Sequence, residues 1–293
     1  MNFSWILGVL LLVQQVNPPE QLNITKDGEI ISSINKNEFT FAYPGLQIID
    51  DQKFNHLLEQ LDKQVSIAPE NARLSQDGSI LPEKVGYRVH RQKFTELFFA
   101  SFFNNSPSQI EIPMLSIYPK VDSELLGNIR TKRIGRFITS FNPGNKKRSN
   151  NIKLAVKAIN NYVLFPGETF SFNRVVGKRT AVKGYLRAPV IVRGEFSEDI
   201  GGGICQVSST LFNAVDNAGL QIIQRFSHSR KVPYIQPGRD ATVSWYGPDF
   251  VFKNKYNQPI LIQAKTFGHL LVIKVYSSDV INYKVRKIPA PRY

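Results

Sequence analysis

Three consecutive glycines, residues 201–203, stand directly before an amphipathic segment, and this junction constrains the fold more than any other feature of the sequence. Residues 206–218 place apolar side chains on one face with helical spacing, and Gly219 follows where helices commonly end. Glycine has no Cβ, so it permits turns and close backbone approaches that other residues do not. The junction therefore predicts a side-chain-free turn leading into a helix, with Cys205 at the helix N-terminus.

Charge divides the chain into two parts. Residues 1–130 hold 11 Lys and Arg against 15 Asp and Glu, a net charge of −4, whereas residues 131–293 hold 26 against 8, a net charge of +18. The length of 293 residues is enough for two domains with separate cores. We therefore predict a domain at 22–130, a second at 131–280, and a loose basic tail at 281–293.

The unbroken apolar run at residues 5–13 is too short to cross a bilayer, which takes about 20 residues, but it has the length of a signal-peptide core. Residues 1–21 are therefore predicted to be a signal peptide or N-terminal anchor, and the protein to be exported to the cell wall or the outer face of the cytoplasmic membrane. The alternative is a buried first strand or helix.

Hydrophobic periodicity predicts an α+β protein. In residues 22–130 it indicates a small α/β unit with helices over 50–65 and 92–103. In residues 131–280 it indicates a helix over 151–162 and a mainly antiparallel sheet that cradles the helix starting at the cysteine. The predicted strands of this second domain are 170–172, 188–193, 221–226, 241–245, 250–253, 259–265 and 270–276.

Cys205 is the only cysteine, which excludes an intramolecular disulfide and a CxxC metal site. A helix N-terminus lowers the pKa of a thiol, and its N–H groups can receive an oxyanion, the combination that acyl-transfer cysteine enzymes need. Gly202, Gly203 and Gln206 are predicted to meet the substrate beside Cys205, with no metal or cofactor. Cys205 as an inert, buried, small side chain is the alternative.

His228 is the best candidate for the base of a Cys–His pair. It lies just past a predicted strand, between two serines and before a rigid Val-Pro-Tyr segment, whereas His56, His90 and His269 fall on other elements or in a turn. Either Asp240 or Asp249 is suited to orient its imidazole. Arg239 is suited to hold a substrate carboxylate through a bidentate contact. A solvated loop histidine and a structural Arg-Asp pair are the alternatives.

Residues 22–130 resemble the peptidoglycan-binding domain found ahead of several cell-wall transpeptidase domains. The resemblance covers about 80 residues and rests on PENARL, a following DG turn, LPEKVGYRV and IYPKVDSELL. It implies that the N-terminal domain binds peptidoglycan.

The second domain resembles a VanW domain over residues 131–276. The segments that carry the resemblance are, in order, PGETFSFNRVVGKRT, KGYLRAPVI, GGGICQVSSTLFNA and SHSRKVPYIQPGRDATV. This family is associated with glycopeptide resistance, and some members are L,D-transpeptidases of peptidoglycan that use this cysteine as nucleophile. The family often has a further histidine two residues before the one matching His228, where this sequence has Phe226.

The resemblance implies an acyl transferase on peptidoglycan stem peptides, with Cys205 as nucleophile and His228 as base. Two alternatives stay open: a cysteine peptidase or carboxypeptidase of the wall, and a non-catalytic peptidoglycan-binding module. Nine basic residues between 130 and 157, with no acidic residue among them, favour a further contact with anionic wall polymers or a membrane surface. Nucleic acid is not an expected partner, because no recognition motif accompanies the charge.

Overall fold

The computed structural model describes residues 21–43, 46–103, 108–192 and 195–290. The apolar run at residues 5–13 lies outside these ranges, so the predicted signal peptide or anchor is not among the described residues. Within them, no helix combines the length and apolar character needed to cross a membrane.

Helices and strands alternate irregularly along the described chain. The helices are α1 (Asp51–Val65), α2 (Arg91–Phe103), α3 (Ser123–Ile129), α4 (Lys146–Ile159), α5 (Phe172–Val176) and α6 (Ile204–Asn217). The strands are β1 (Gln21–Lys26), β2 (Glu29–Asn35), β3 (Thr40–Tyr43), β4 (Leu46–Ile49), β5 (Arg73–Leu74), β6 (Ile80–Leu81), β7 (Gly86–Val89), β8 (Gln109–Glu111), β9 (Met114–Ile117), β10 (Lys132–Ser140), β11 (Tyr162–Leu164), β12 (Thr169–Ser171), β13 (Arg187–Val192), β14 (Glu195–Ile200), β15 (Gln221–Gln224), β16 (Val251–Lys253), β17 (Ile260–Phe267) and β18 (Leu270–Ser277).

These elements form two compact units that are not consecutive in sequence. The first comprises the described residues up to Asn71 together with Lys84–Lys120, and the second comprises Ala72–Glu83 together with the described residues from Val121 onward. The division thus lies at 120/121 instead of the 130/131 suggested by charge. Residues 72–83 join the second unit because their backbone is bonded there: the Ala72 N–H donates to the Val121 carbonyl at 2.8 Å.

The first unit has a three-stranded sheet in the order β2-β1-β8, with β1 antiparallel to β2 and parallel to β8. Its core is rich in phenylalanine. Phe54 of α1 lies 4.8 Å, ring to ring, from Phe98 of α2, and both rings are buried together with Phe94. The apolar stripes that predicted these two helices therefore face each other, each with the helical spacing that buries one face.

The second unit contains a four-stranded antiparallel sheet in the order β10-β18-β17-β11 and a three-stranded antiparallel sheet in the order β12-β16-β15. Helix α6 packs against β10 and β18, and α4 packs against β17 and α6. Val207 and Leu211 of α6 are completely buried. The predicted α+β class, with a helix that begins beside the cysteine and lies on an antiparallel sheet, is confirmed.

Three local predictions for the second unit are wrong. The helix predicted over 151–162 is α4, which begins at Lys146 because the Asn145 side chain accepts a hydrogen bond from the Arg148 N–H and caps it. The predicted strand at 241–245 is absent, because the backbone there bonds to α6 side chains and to loops instead of to a neighbouring strand. The tail predicted as loose is anchored, since Arg286 forms a salt bridge with Asp216 at 2.9 Å.

Candidate active site

The three glycines form the turn that was predicted before α6. Gly201 and Gly203 have φ of +97° and +105°, in the left-handed region, and Gly203 is the N-cap of the helix. Gly202 is constrained by space: a Cβ on it would stand 2.5 Å from the carbonyl oxygen of Ala188 and 2.6 Å from that of Pro189. The turn is therefore pressed against β13, and this fixes the position of the residue that follows it into the helix.

Gly202→Ala is expected to lower the free energy of unfolding by about 2–3 kcal/mol, because the added methyl group would collide with two backbone oxygens that cannot move aside cheaply. Gly127→Ala is the matched control. Gly127 lies within α3, where a Cβ would have no neighbour closer than 3.8 Å, so alanine should raise the free energy by about 0.5–1 kcal/mol. Urea unfolding measures both, and equal stability of the two variants would contradict the packing described.

Cys205, the second residue of α6, lies half-buried in the wall of a cavity of about 1240 Å³. Its Sγ is 3.5 Å from the Val243 carbonyl oxygen and 3.7 Å from the Thr242 hydroxyl. His228 and Tyr234 also line the cavity. The thiol is therefore placed where a ligand in the cavity would meet it.

His228 links Cys205 to Asp240. Its Nδ1 is 2.6 Å from Asp240 Oδ2, the same oxygen accepts the His228 backbone N–H at 2.6 Å, and the imidazole interacts electrostatically with Cys205. The side chains of His228 and Asp240 are 7% and 8% exposed, so little water competes for these bonds. The structure thus brings together the predicted Cys205, His228 and Asp240 in the order thiol, imidazole, carboxylate.

Asp249, the other acid suggested for orienting His228, is engaged elsewhere. It accepts hydrogen bonds from the Ser171 hydroxyl at 2.5 Å and from the Asn173 N–H at 2.9 Å. Those contacts join β12 and α5 to the segment before β16. Among the described residues, Asp240 is therefore the carboxylate that orients His228.

The electrostatics of these three groups favour an ion pair. Burial raises the pKa of the Cys205 thiol, but the hydrogen bond and charge of His228 outweigh it and bring that pKa below its usual value. Burial lowers the pKa of His228, but its hydrogen bonds to Asp240 and Cys205 raise it from 6.5 to about 9. Burial likewise opposes the charge of Asp240, yet His228 holds the Asp240 pKa below its usual value. The two shifts have the same consequence: each group favours the charged form of the other, a thiolate beside an imidazolium.

Serine hydroxyls of α6 hold the Asp240 segment against the helix that carries Cys205. Ser209 Oγ accepts the Ala241 N–H at 2.9 Å and donates to the Cys205 carbonyl at 2.6 Å, and Ser208 Oγ donates to the Ala241 carbonyl. Through these bonds Ser208 and Ser209 fix the distance between the Cys205 thiol and the Asp240 carboxylate. In the sequence, this role is signalled by two serines one helical turn after the cysteine.

Backbone N–H groups at the start of α6 differ in availability. The N–H of Ile204 donates to the Gly201 carbonyl at 3.2 Å, and that of Gln206 to the Gly203 carbonyl at 3.1 Å. The Cys205 N–H has no hydrogen-bond acceptor in the described parts of the chain. Of these three N–H groups at the start of α6, that of Cys205 is therefore the one available to an oxyanion.

The predicted substrate-binding side chains fall into two places. Gln206 lines the cavity, but its amide is fully used: it accepts from Arg148 at 2.8 Å and donates to Thr139 Oγ1 at 2.9 Å and to the Ser140 carbonyl at 2.8 Å. Arg239 is not brought to the cavity. It pairs with Asp216 at 2.8 Å and donates to Asn213 at 2.8 Å, so its guanidinium ties a loop to the far half of α6.

Two cavity residues that sequence reasoning did not single out are Arg148 of α4 and Arg179, which follows α5. Both interact electrostatically with Cys205. Arg148 was counted only as part of the basic stretch between 130 and 157, where nothing separates it from its solvent-facing neighbours. No group of three or more His, Cys, Asp or Glu side chains suited to a metal ion occurs among the residues that the structure describes.

Comparison with known proteins gives a family. The family model described as "VanW like protein" matches residues 147–276. YoaR of Bacillus subtilis (strain 168) is 57% identical over 284 residues, which cover 97% of this chain and 94% of YoaR. The vancomycin B-type resistance protein VanW of Enterococcus faecalis (strain ATCC 700802 / V583) is 38% identical over 100 residues, 32% of this chain and 36% of that protein. No solved structure matches the chain.

Proposed function

The chain belongs to the VanW family, and from this premise we propose that it is a cysteine-dependent acyl transferase of the L,D-transpeptidase type, acting on the stem peptides of peptidoglycan. The observation that carries the proposal is that Cys205 and His228 line the same open cavity and interact electrostatically, with Asp240 hydrogen-bonded to His228 behind them. A nucleophile, a base and a group that orients the base are the parts that covalent acyl transfer needs.

In the first half-reaction the Cys205 thiolate attacks an amide carbonyl beside the diamino acid of one stem peptide. The developing oxyanion is received by the free Cys205 N–H, which points from the start of α6. The C–N bond then breaks, the departing amine of D-alanine takes the proton of the His228 imidazolium, and a thioester remains on Cys205. Asp240 keeps the imidazole in the tautomer that presents its other nitrogen to the thiol.

In the second half-reaction an amine from a neighbouring stem attacks the thioester. Neutral His228 accepts the proton of that amine, the new amide forms, and the thiolate of Cys205 is regenerated beside the imidazolium. One amide bond is broken and one is made, so no external energy source is needed. A water molecule in the place of the amine would give hydrolysis by the same steps.

The same proposal gives the other parts of the chain roles in the cell wall. The first unit binds peptidoglycan and the N-terminal segment directs export. The basic second unit adds attraction to anionic wall polymers or to a membrane surface: its exposed lysines include Lys146, Lys147, Lys153 and Lys157 of α4. Such attraction between exposed charges weakens with salt, because the screening length is about 10 Å at 0.1 M.

The test is to incubate purified protein with a disaccharide-tetrapeptide and follow the products by mass spectrometry. We expect dimers that have lost one alanine, formed by wild type and by His269→Ala, a control at an exposed histidine in the β17–β18 turn. Loss of alanine without dimer formation would replace the transferase by a carboxypeptidase. Binding of the substrate with no product would replace it by a non-catalytic peptidoglycan-binding module.

A further inference from the structure

Arg179 has buried hydrogen-bond donors that are not used within the described chain. Its two terminal guanidinium nitrogens are buried, and neither has a hydrogen-bond acceptor in the described chain. The guanidinium lies 5.8 Å from the centre of the buried Phe172 ring, and the aliphatic part of the side chain packs against Gly201. The side chain is thus held in place at the cavity wall with its donors unused.

Burying these donors without an acceptor lowers the stability of the protein when no ligand is bound. A buried donor without an acceptor costs roughly 1–3 kcal/mol, and a charged one costs more. Burial lowers the pKa of Arg179, but an arginine guanidinium keeps its proton in proteins, so the charge is not removed by deprotonation. A guanidinium retained under these conditions beside a reactive thiol is typical of a site that is completed by an anionic ligand.

Arg148 adds a second cation to the lining of the cavity, and like Arg179 it interacts electrostatically with Cys205. One terminal nitrogen donates to Gln206 Oε1 at 2.8 Å, and the guanidinium lies 5.9 Å from the centre of the Tyr234 ring. Its other terminal nitrogen and its Nε donate to no acceptor among the residues described. Gln206 therefore orients Arg148 while leaving donors for a ligand.

The acids near the cavity are committed to other partners. Asp240 is bonded to His228, and Asp249 is bonded to Ser171 and to the backbone of Asn173. Asp199 lines the cavity but is exposed, and its carboxylate accepts the N–H of Ile200. The cavity around Cys205 thus has an excess of positive charge, which a carboxylate would offset.

We infer that Arg148 and Arg179 form a carboxylate-binding subsite beside Cys205, which holds the C-terminal carboxylate of the amino acid that leaves the acyl-donor peptide. This inference rests on the proposed function and sharpens its substrate class. Consecutive Cα atoms are about 3.8 Å apart, so a bound terminal carboxylate places the preceding amide carbonyl within one residue of the arginines, next to the thiol. The site accordingly favours peptides with one residue beyond the scissile bond.

The first test needs no substrate. Iodoacetate carries a carboxylate and iodoacetamide does not, so the ratio of their alkylation rates at Cys205 reports the anion affinity of the cavity. We expect Arg179→Gln and Arg148→Gln each to lower this ratio about tenfold. Arg174→Gln, which removes the same charge from an exposed position on α5, should leave the ratio within about twofold of wild type. Melting curves verify that each variant is folded, and Arg179→Met, which also removes the charge, serves if Arg179→Gln is not.

The second test uses two donor peptides that differ only at the C-terminus, one a carboxylate and one a carboxamide. We expect wild type to favour the carboxylate by roughly 10- to 100-fold in kcat/KM, and Arg179→Gln to lose most of that preference through KM. A third peptide has a free C-terminal carboxylate but an amidated side-chain carboxylate on the diamino acid. We expect its kcat/KM to equal that of the first peptide. If that amidation removes the preference instead, the arginines bind the other carboxylate and the assignment is overturned.

Failure of the proposed function and failure of the carboxylate subsite give different results. If wild type turns over neither peptide, the proposed function fails, and protection of Cys205 from iodoacetamide still reports binding of the carboxylate peptide over the carboxamide. If wild type turns over both peptides equally and the alkylation ratio is the same in wild type, Arg148→Gln and Arg179→Gln, the acyl transferase stands and the carboxylate subsite is refuted.

Discussion

Cys205→Ser is expected to lower kcat/KM for acyl transfer by a factor on the order of 10⁴ or more. A serine hydroxyl at this position has a pKa far above that of the thiol, so the thiolate that His228 stabilises has no counterpart in the variant. The Cys205 N–H and the cavity are unchanged in the variant, so they account for the acyl transfer that remains. Mass-spectrometric detection of dimeric stem peptides over time measures the loss.

The variant should stay folded. Cys205 is half-buried, the hydrogen-bond contacts of its Sγ with Thr242 and Val243 are long, and serine is slightly smaller. We expect a melting temperature within about 3 °C of wild type. Full activity of folded Cys205→Ser on a confirmed substrate would place the chemistry at another group, since Ser208 and Ser209 are occupied in clamping the segment that carries Asp240.

The second large effect concerns pH. We expect a bell-shaped profile of kcat/KM with an alkaline limb near pH 9. His228 has a pKa raised to about 9, so its proton is present below that pH and is lost as the pH rises through it. The acid limb reports formation of the thiolate, whose pKa is lowered. The active ion pair therefore exists between these limbs, and both limbs belong to the coupled pair.

Two variants separate the effect of Asp240 on the pKa of His228 from the effect of His228 on the pKa of Cys205. Asp240→Asn removes the charge that raises the pKa of His228, so the alkaline limb should move to lower pH, and the maximum rate should fall as the wrong tautomer becomes populated. His228→Ala should shift the inflection of iodoacetamide alkylation of Cys205 upward, toward about 8.5 or above. His269→Ala again serves as the control. An unchanged inflection in His228→Ala would show that the two groups do not interact.

The same linkage affects stability with a definite sign. Because folding raises the pKa of His228 above its unfolded value, its contribution to the free energy of unfolding is fully present below about pH 6.5 and is lost as pH rises through about 9.

The sequence predicted those elements whose conformation is determined by residues close to them in the chain. Helix α6 follows from the apolar spacing of Val207 and Leu211, and Gly219 ends it with φ of +77°. Likewise, Cys205, His228 and Asp240 could be nominated because each stands in a segment with its own signature, a glycine turn or a short polar loop. Their mutual contact, however, depends on how loops pack on α6, which periodicity does not encode.

The missed features depend on tertiary contacts. Strand β10 lies in the stretch analysed for its positive charge, and its alternation of buried and exposed residues is interrupted by a shift of register near Gly135. The segment at 241–245 has strand composition, but Ser208 and Ser209 supply the hydrogen bonds that a neighbouring strand would have made. Arg179 looks like any surface cation until its position beside the cysteine is known.

The discontinuity of the second unit governs the order in which the chain can acquire its structure. Leu74 shares a buried cluster with Leu261, and Gln76 accepts a hydrogen bond from Lys265, 189 positions further along the chain. These two partners on β17 leave the ribosome only when nearly the whole protein has been made. Until then residues 72–83 can pair only with each other and with earlier partners such as Val121 and Asn161, so the contacts with β17 form last and over a large sequence separation, which slows folding of the unit. A fragment that begins at 131 lacks this piece permanently and exposes the apolar surface that it covers.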